Sequence, residues 1–286
     1  MKFLRSCLFG AALLFGASGF AAQAQETVPV SKCLAMVDGG PHIFPPESQP
    51  RIMFAKAESL PIPFIRAQAT APDVLLTYID HAVWQIRSPG GVTAATDYYG
   101  LPLNPVPDIA TMNNAHRTHW TPAPDPSIKH VLQGWSNDGI NQAQHAVVEG
   151  DMFVRNVPTD IRPGGEMRRG GNSIFIFEVA DLCIGHLGHL HHALEDRHYA
   201  QIGRLDVVMV PVDGGLTLSH AGMSELVQRL RPSVLLPMHL RGNSIQSFIT
   251  MLGDGFSVDY LSGNSLTVSL TNLPKTPTVF VPASLN

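Results

Sequence analysis

Histidine is the residue type in this chain with the most to say about chemistry. There are 13 histidines against 19 lysines and arginines, and most of them lie between His116 and His220. Imidazole changes charge near neutral pH and is the commonest side-chain metal ligand. In His116-Arg117-Thr118-His119, two imidazoles stand at i and i+3, which on a loop or a first helical turn can converge on one ion. His186-Leu187-Gly188-His189-Leu190-His191-His192 presents a second cluster straight after the apolar run that ends at Ile184-Gly185. His239 closes another apolar run, Val234-Leu235-Leu236-Pro237-Met238. Histidines at three strand ends suit a metal centre between sheets, because only tertiary structure could bring them together. His191, His192, His198 and His220 are read instead as capping or core histidines bonded to backbone.

The elements that must carry these residues follow from alternation and turn chemistry. Val74 to Ile79, Ala82 to Arg87 and Val92 to Thr96 read as strands, the last two joined by Ser88-Pro89-Gly90-Gly91. Asp108 to Met112, Ala146 to Val148, Met152 to Val157, Ser173 to Val179 and Leu182 to Ile184 extend the pattern, with a glycine-rich loop at 163–171. Leu194, His198, Ile202 and Leu205 have helical spacing, and Asp206 to Val210 reads as a buried strand ending at Pro211. A helix is predicted from about Ser219, its N-cap, to Leu230, with Met223, Leu226, Val227 and Leu230 on one face and Pro232 ending it. Val234 to His239 is a further strand. Strands and helices in this order predict an α/β fold with two sheets packed between helices.

Composition narrows the classes. The chain has 286 residues, 44% apolar and 15% charged, with a net charge of −4, which fits a folded chain with a substantial core. No run of Lys or Arg is long enough to track phosphates, so nucleic acid is not an expected partner. Lys2 and Arg5, the apolar run Leu8 to Phe15 and the A-x-A site Ala22-Gln23-Ala24 read as an export signal over residues 1–24. The expected location is therefore periplasmic or secreted, with no membrane span once the signal is cleaved. Residues 25–70 are proline-rich and read as an extended arm, and 71–286 form the main domain. Removal of the signal leaves Cys33 and Cys183, which an oxidising compartment favours as a disulfide tying arm to body. Two buried thiols, or Cys183 as a ligand beside His186, are the alternatives.

Residues from about 74 to 241 resemble the metallo-β-lactamase superfamily, in particular its lactonase-like branch of metal-dependent hydrolases. Thr77-Tyr78-Ile79-Asp80-His81-Ala82, Ser88-Pro89-Gly90-Gly91-Val92 and Thr96-Asp97 are similar to the opening hairpin, where Gly usually stands in place of Asp80. His186-Leu187-Gly188-His189-Leu190, the run Leu205 to Gly215, and Pro237-Met238-His239 match later landmarks in order and spacing. The resemblance implies a four-layer αββα sandwich with a metal site at the sheet edges. The family's His-x-His-x-Asp-His motif falls on Asn114-Ala115-His116-Arg117-Thr118-His119, so its first His is Asn and its Asp is Thr. The next family ligand falls near Asp160, and the bridging Asp falls on His189. His116, His119 and His239 keep the family's residue type.

With Thr118 neutral and His189 in place of an anion, two close divalent ions would have little negative charge to offset their repulsion. The expected centre is therefore a single Zn²⁺ held by some of His116, His119, His189 and His239, with Asp160 as a possible fifth ligand. Zinc lowers the pKa of its water towards neutrality and polarises the bond to be cleaved. Hydrolysis of an ester, lactone, amide or phosphoester in a small-molecule substrate is the leading reaction class. Asp160 or Asp213 is the expected general base, with turn fixation the alternative for Asp213. Asn114 could donate to an oxyanion or only cap a turn. A metal-binding or ligand-binding envelope protein without turnover is the competing class, and purely structural histidines with no metal are the third.

Overall fold

The computed structural model describes residues 30–34, 71–138, 141–162 and 165–285. Residues 1–24, read as an export signal, and nearly all of the proline-rich segment 25–70 lie outside these residues. The strands form two sheets. The smaller contains β1 (Val74–Asp80), β2 (Val83–Arg87), β3 (Thr93–Ala95), β4 (Ile109–Met112) and β5 (His130–Gln133). The larger begins with β6 (Ala146–Glu149), β7 (Met152–Ile161), β8 (Arg168–Val179) and β9 (Leu182–His186), an antiparallel run. After helix α1 (Asp196–Ile202) the chain adds β10 (Val207–Pro211), then α2 (His220–Leu230), β11 (Val234–Met238) and α3 (Ser244–Leu252). Three late strands finish both sheets: β12 (Ser257–Tyr260), β13 (Ser265–Val268) and β14 (Thr278–Val281). Their orders are β13-β1-β2-β3-β4-β5 and β12-β14-β11-β10-β9-β8-β7-β6.

Alternation along the strands builds two cores from one sheet. Val207 and Met209 of β10, Phe175 and Phe177 of β8, and Leu236 and Met238 of β11 point inward, against Leu76, Trp84 and Ile86 of the smaller sheet. Their neighbours Val208, Val210, Ile174, Ile176 and Leu235 point outward, against Ile202 of α1, Met223, Leu226 and Val227 of α2, and Phe248 and Leu252 of α3. The period of two in a strand buried on both faces requires this division. Helices therefore cover the larger sheet. The outer face of the smaller sheet is covered, among the described residues, by chain between its strands, with Tyr98, Trp120 and Ile128 over Ala95, Ala110 and Met112.

The expected two-sheet sandwich and the α2 helix are present, and among the described residues helices cover only the larger sheet. Ser219 Oγ accepts the Gly222 amide at 3.2 Å, and Arg231 ends the helix in a left-handed conformation before Pro232. Cys33 and Cys183 are joined by a disulfide. It fastens residues 31–34 to β9, beside Glu178, which accepts from Ser31 Oγ at 2.5 Å, the Lys32 amide at 2.8 Å and Arg155 Nε at 2.8 Å. Three expectations are adjusted. The chain from Arg168, read as loop, is already strand β8. The helix expected from Leu194 is the shorter α1. Finally, β5, α3 and the last three strands were not anticipated.

Candidate metal centre

Four chain segments end at one edge of the sandwich and bring their histidines together. His81 sits in the turn between β1 and β2 at φ 48°, and His239 follows β11 at φ 55°. The two turns are tied directly, because the His239 amide donates to the His81 carbonyl at 2.8 Å. His186 Nε2 donates to the Ala82 carbonyl at 2.9 Å, which stitches the larger sheet to the same turn. After β4 the chain closes a tight loop in which the His119 amide donates to the His116 carbonyl and the Asn113 amide to the His119 carbonyl. This loop sets the rings of His116 and His119 edge to face, 4.5 Å apart. The parallel strands β4, β9, β10 and β11 all point their carboxyl ends here, where open α/β sheets place their ligands.

One ring nitrogen from each of His81, His116, His119 and His239 lies within 4.8 Å of the others. His119 and His239 are buried, His81 is half-buried and His116 is open to solvent. The Nε2 atoms of His81 and His119 are buried with no hydrogen-bond partner. The opposite ring nitrogens of His119, His116 and His239 face polar groups. His119 Nδ1 is 2.5 Å from Asp97 Oδ2, His116 Nδ1 is 2.9 Å from Thr118 Oγ1, and His239 Nδ1 is 2.9 Å from Asp213 Oδ2, although this last approach is not well aligned for a hydrogen bond. An ionised carboxylate only accepts, so it holds hydrogen on Nδ1 and leaves Nε2 as a lone pair aimed inward.

Electrostatics points the same way. Burial, then the neighbouring His239 and His116, push the His81 imidazole down to about 4. Burial likewise lowers His119 well below its ordinary value and lowers His116. Burial thus holds the rings of His81, His116 and His119 towards the neutral, lone-pair-bearing state that a metal requires. Burial drives the fully buried Asp97 up to about 6, against the pull of His186 and a hydrogen bond from Asn113. Burial opposes ionisation of Asp213 too, but His239, Thr217 and the Gly215 amide hold its carboxyl far below the usual range. These residues fit a divalent ion. His116 Nε2 and His239 Nε2 are 3.3 Å apart, and the edge of a zinc tetrahedron with nitrogens 2.0–2.1 Å from its centre is about 3.3 Å.

The other residues singled out from sequence fall as follows. The His189 ring packs 4.7 Å from His239, 4.8 Å from His119 and 5.1 Å from His116, on the flank of the four. Asp213 Oδ1 accepts the amides of Gly215 and Thr217, each at 2.9 Å, and its Oδ2 accepts Thr217 Oγ1 at 2.6 Å. Asp160 stands at a bulge in β7, outside the four-histidine group, and its Oδ1 accepts the Gly170 amide at 2.9 Å. Asn114 lines a neighbouring cavity with Trp135, Arg168 and Arg169, and its carbonyl accepts from Arg168 Nη2 at 3.3 Å. His192, His198 and His220 bond to backbone, as expected. In the sequence, His81 and Asp97 stand out only as parts of the opening hairpin. The signal available for them is their placement at strand ends, His81 directly after β1 and Asp97 two residues after the end of β3.

The family profile described as the beta-lactamase superfamily domain matches residues 75–239, a span that runs from β1 to the last histidine of the cluster. The chain belongs to this superfamily. Solved structures agree on the fold. A Thermotoga maritima protein assigned to the Zn-dependent hydrolases of the metallo-β-lactamase superfamily is 24% identical, with a TM-score of 0.53 over 73% of this chain and 97% of its own. Igni18, a metallo hydrolase from Ignicoccus hospitalis, is 16% identical, with a TM-score of 0.52 over 69% and 99% of the two chains. A comparison with curated proteins gives no match. Superfamily membership and the histidine cluster together imply a divalent metal and point to metal-dependent hydrolysis.

Within the superfamily pattern, the exchanges noted from sequence now have local consequences. Thr118, in place of the motif Asp, puts a hydroxyl on His116 Nδ1. His81 adds an imidazole from the turn between β1 and β2, on the same sheet as the loop of His116 and His119. Gly188 is required where it stands. Its φ is 61°, and a Cβ there would come within 2.4 Å of Asn113 Nδ2 and 2.5 Å of Asn172 Oδ1, the atom that accepts the His189 amide at 2.7 Å.

Proposed function

We propose that the protein is an exported hydrolase that cleaves an ester, lactone, amide or phosphoester bond at a single zinc ion held by His81, His116, His119 and His239. The observation that carries this reading is the convergence of four imidazoles, three of them backed on the far side of the ring, His119 by Asp97, His239 by Asp213 and His116 by Thr118. Four imidazoles bring no charge, and the two carboxylates behind them, Asp97 and Asp213, bring two negative charges. One divalent ion is balanced by that pair, whereas two ions would leave a buried excess of positive charge. A bound divalent ion supplies a water made acidic enough to attack at neutral pH and a Lewis acid for the bond being broken.

The chain's own residues orient and select. Asp97 and Asp213 fix the rings of His119 and His239. Asp213, with its proton affinity suppressed by the hydrogen bonds it accepts, is an orienting anion rather than a base. Exposed His116 and half-buried Ala115 line a cavity of about 280 Å³ together with Ile161, Arg162 and Leu216. Ligand pockets usually start near 300 Å³, so the substrate is a small molecule. The disulfide supports export, since such bonds persist in oxidising compartments. The test is cleavage of a panel of lactones, esters and phosphodiesters with and without chelator. Turnover that chelator abolishes and Zn²⁺ restores is expected. Bound zinc without turnover on any member would instead favour a binding protein on the same fold.

A further inference from the structure

His189 has the opposite hydrogen-bond polarity to its neighbours. A backbone amide can only donate, and the Arg162 amide donates to His191 Nδ1 at 2.9 Å. His191 Nδ1 therefore holds a lone pair, and the ring's one hydrogen sits on Nε2. That atom is 2.5 Å from His189 Nδ1, so His189 Nδ1 accepts. The hydrogen of His189 is then on Nε2, an atom that is buried and has no partner in the protein. His189 is 4% exposed and its ring abuts those of His119 and His239. Carboxylates behind His119 and His239 turn lone pairs inward, whereas a chain of donors behind His189 turns an N–H inward.

We infer that His189 is not a metal ligand but a hydrogen-bond donor, held by the relay from the Arg162 amide through His191, that meets an oxyanion or other acceptor atom of the substrate beside the metal. The assignment rests on the metal-hydrolase reading of the same site. It revises the ligand set expected from sequence, in which His189 stood among the zinc-binding residues. The geometry suits the role, because His189, His191 and Arg162 line the same cavity as His116. A donor already fixed in place stabilises charge that develops in the transition state at little cost in reorganisation.

The test uses the full chain loaded with Zn²⁺ alone, with His189→Ala, His189→Gln and His119→Ala compared with the unaltered protein. His189→Ala is expected to keep the zinc stoichiometry and to hold zinc within about threefold of the original affinity, while kcat falls by about 10²–10³-fold, as for loss of one oxyanion donor. His189→Gln, which can offer an N–H, should recover part of the rate, and His119→Ala should lose the metal. A zinc affinity reduced tenfold or more in both His189 variants, with their fold intact by circular dichroism, would overturn the inference while leaving the hydrolase reading standing. A second readout needs neither metal nor substrate. Imidazole ¹⁵N shifts of the metal-free protein, assigned by loss of signal in His189→Gln, should show His189 protonated at Nε2 and bare at Nδ1. The reverse tautomer would sink the relay. If the unaltered protein binds no zinc, the hydrolase reading fails and the ¹⁵N tautomer still decides the relay.

Discussion

At the centre, each ring is set by what stands behind it. Asp97 behind His119 and Asp213 behind His239 are anions that keep hydrogen on Nδ1, and partners of this kind commonly contribute 10–100-fold in metal affinity. Asp97→Asn should therefore weaken zinc binding by about 10–100-fold with the fold retained, measured by competition with a chromophoric chelator. An unchanged affinity would mean that His119 needs no orientation. The exchange of Asp for Thr at 118 is legible as an altered motif, but its consequence is not. Only the folded loop shows the Thr118 hydroxyl on His116 Nδ1. His81 is not legible as a ligand from sequence, because a single histidine in a hairpin turn has no partner near it along the chain. Asp160 lies in the expected stretch, yet the bulge in β7 turns its carboxylate to the Gly170 amide.

The elements succeed where a residue pattern is long or strongly punctuated. Val207 to Val210 is apolar on both faces and follows Asp206, so β10 reads as a buried strand. Ser219, the spacing of Met223, Leu226 and Val227, and Pro232 together announce α2. The late strands β12 and β13 are four residues each and largely exposed, so neither alternation nor length marks them. Their place is decided by pairing with β14 and β1. Gly188 shows how an element can depend on one missing atom. Gly188→Ala should lower stability by about 1–3 kcal/mol through a left-handed φ and the clash with Asn113 and Asn172, read from the urea midpoint. The disulfide spans 150 residues of sequence. Its removal in a Cys33→Ser, Cys183→Ser double variant should cost about 2–5 kcal/mol by the same measurement.

Over the whole molecule, two sheets packed face to face concentrate buried imidazoles where their strand ends meet along one rim, and this makes stability depend on pH. Burial, followed by repulsion from neighbouring charged groups, lowers His81 and His191 to about 4, against about 6.5 in the unfolded chain. Between those values the unfolded state binds more protons, so stability rises with pH and is lost as pH falls from about 6.5 to 4. Metal-free protein should show a thermal midpoint that is flat above about pH 7 and falls steeply through this window. A flat profile down to pH 4 would contradict the burial of neutral rings. The claim beneath all of this is that rings from both sheets close on one ion. The direct measurement is the zinc content of the full chain, prepared without a histidine tag, equilibrated with Zn²⁺ and freed of loosely held metal. About one equivalent per chain is predicted, and less than about a tenth of an equivalent would contradict the account.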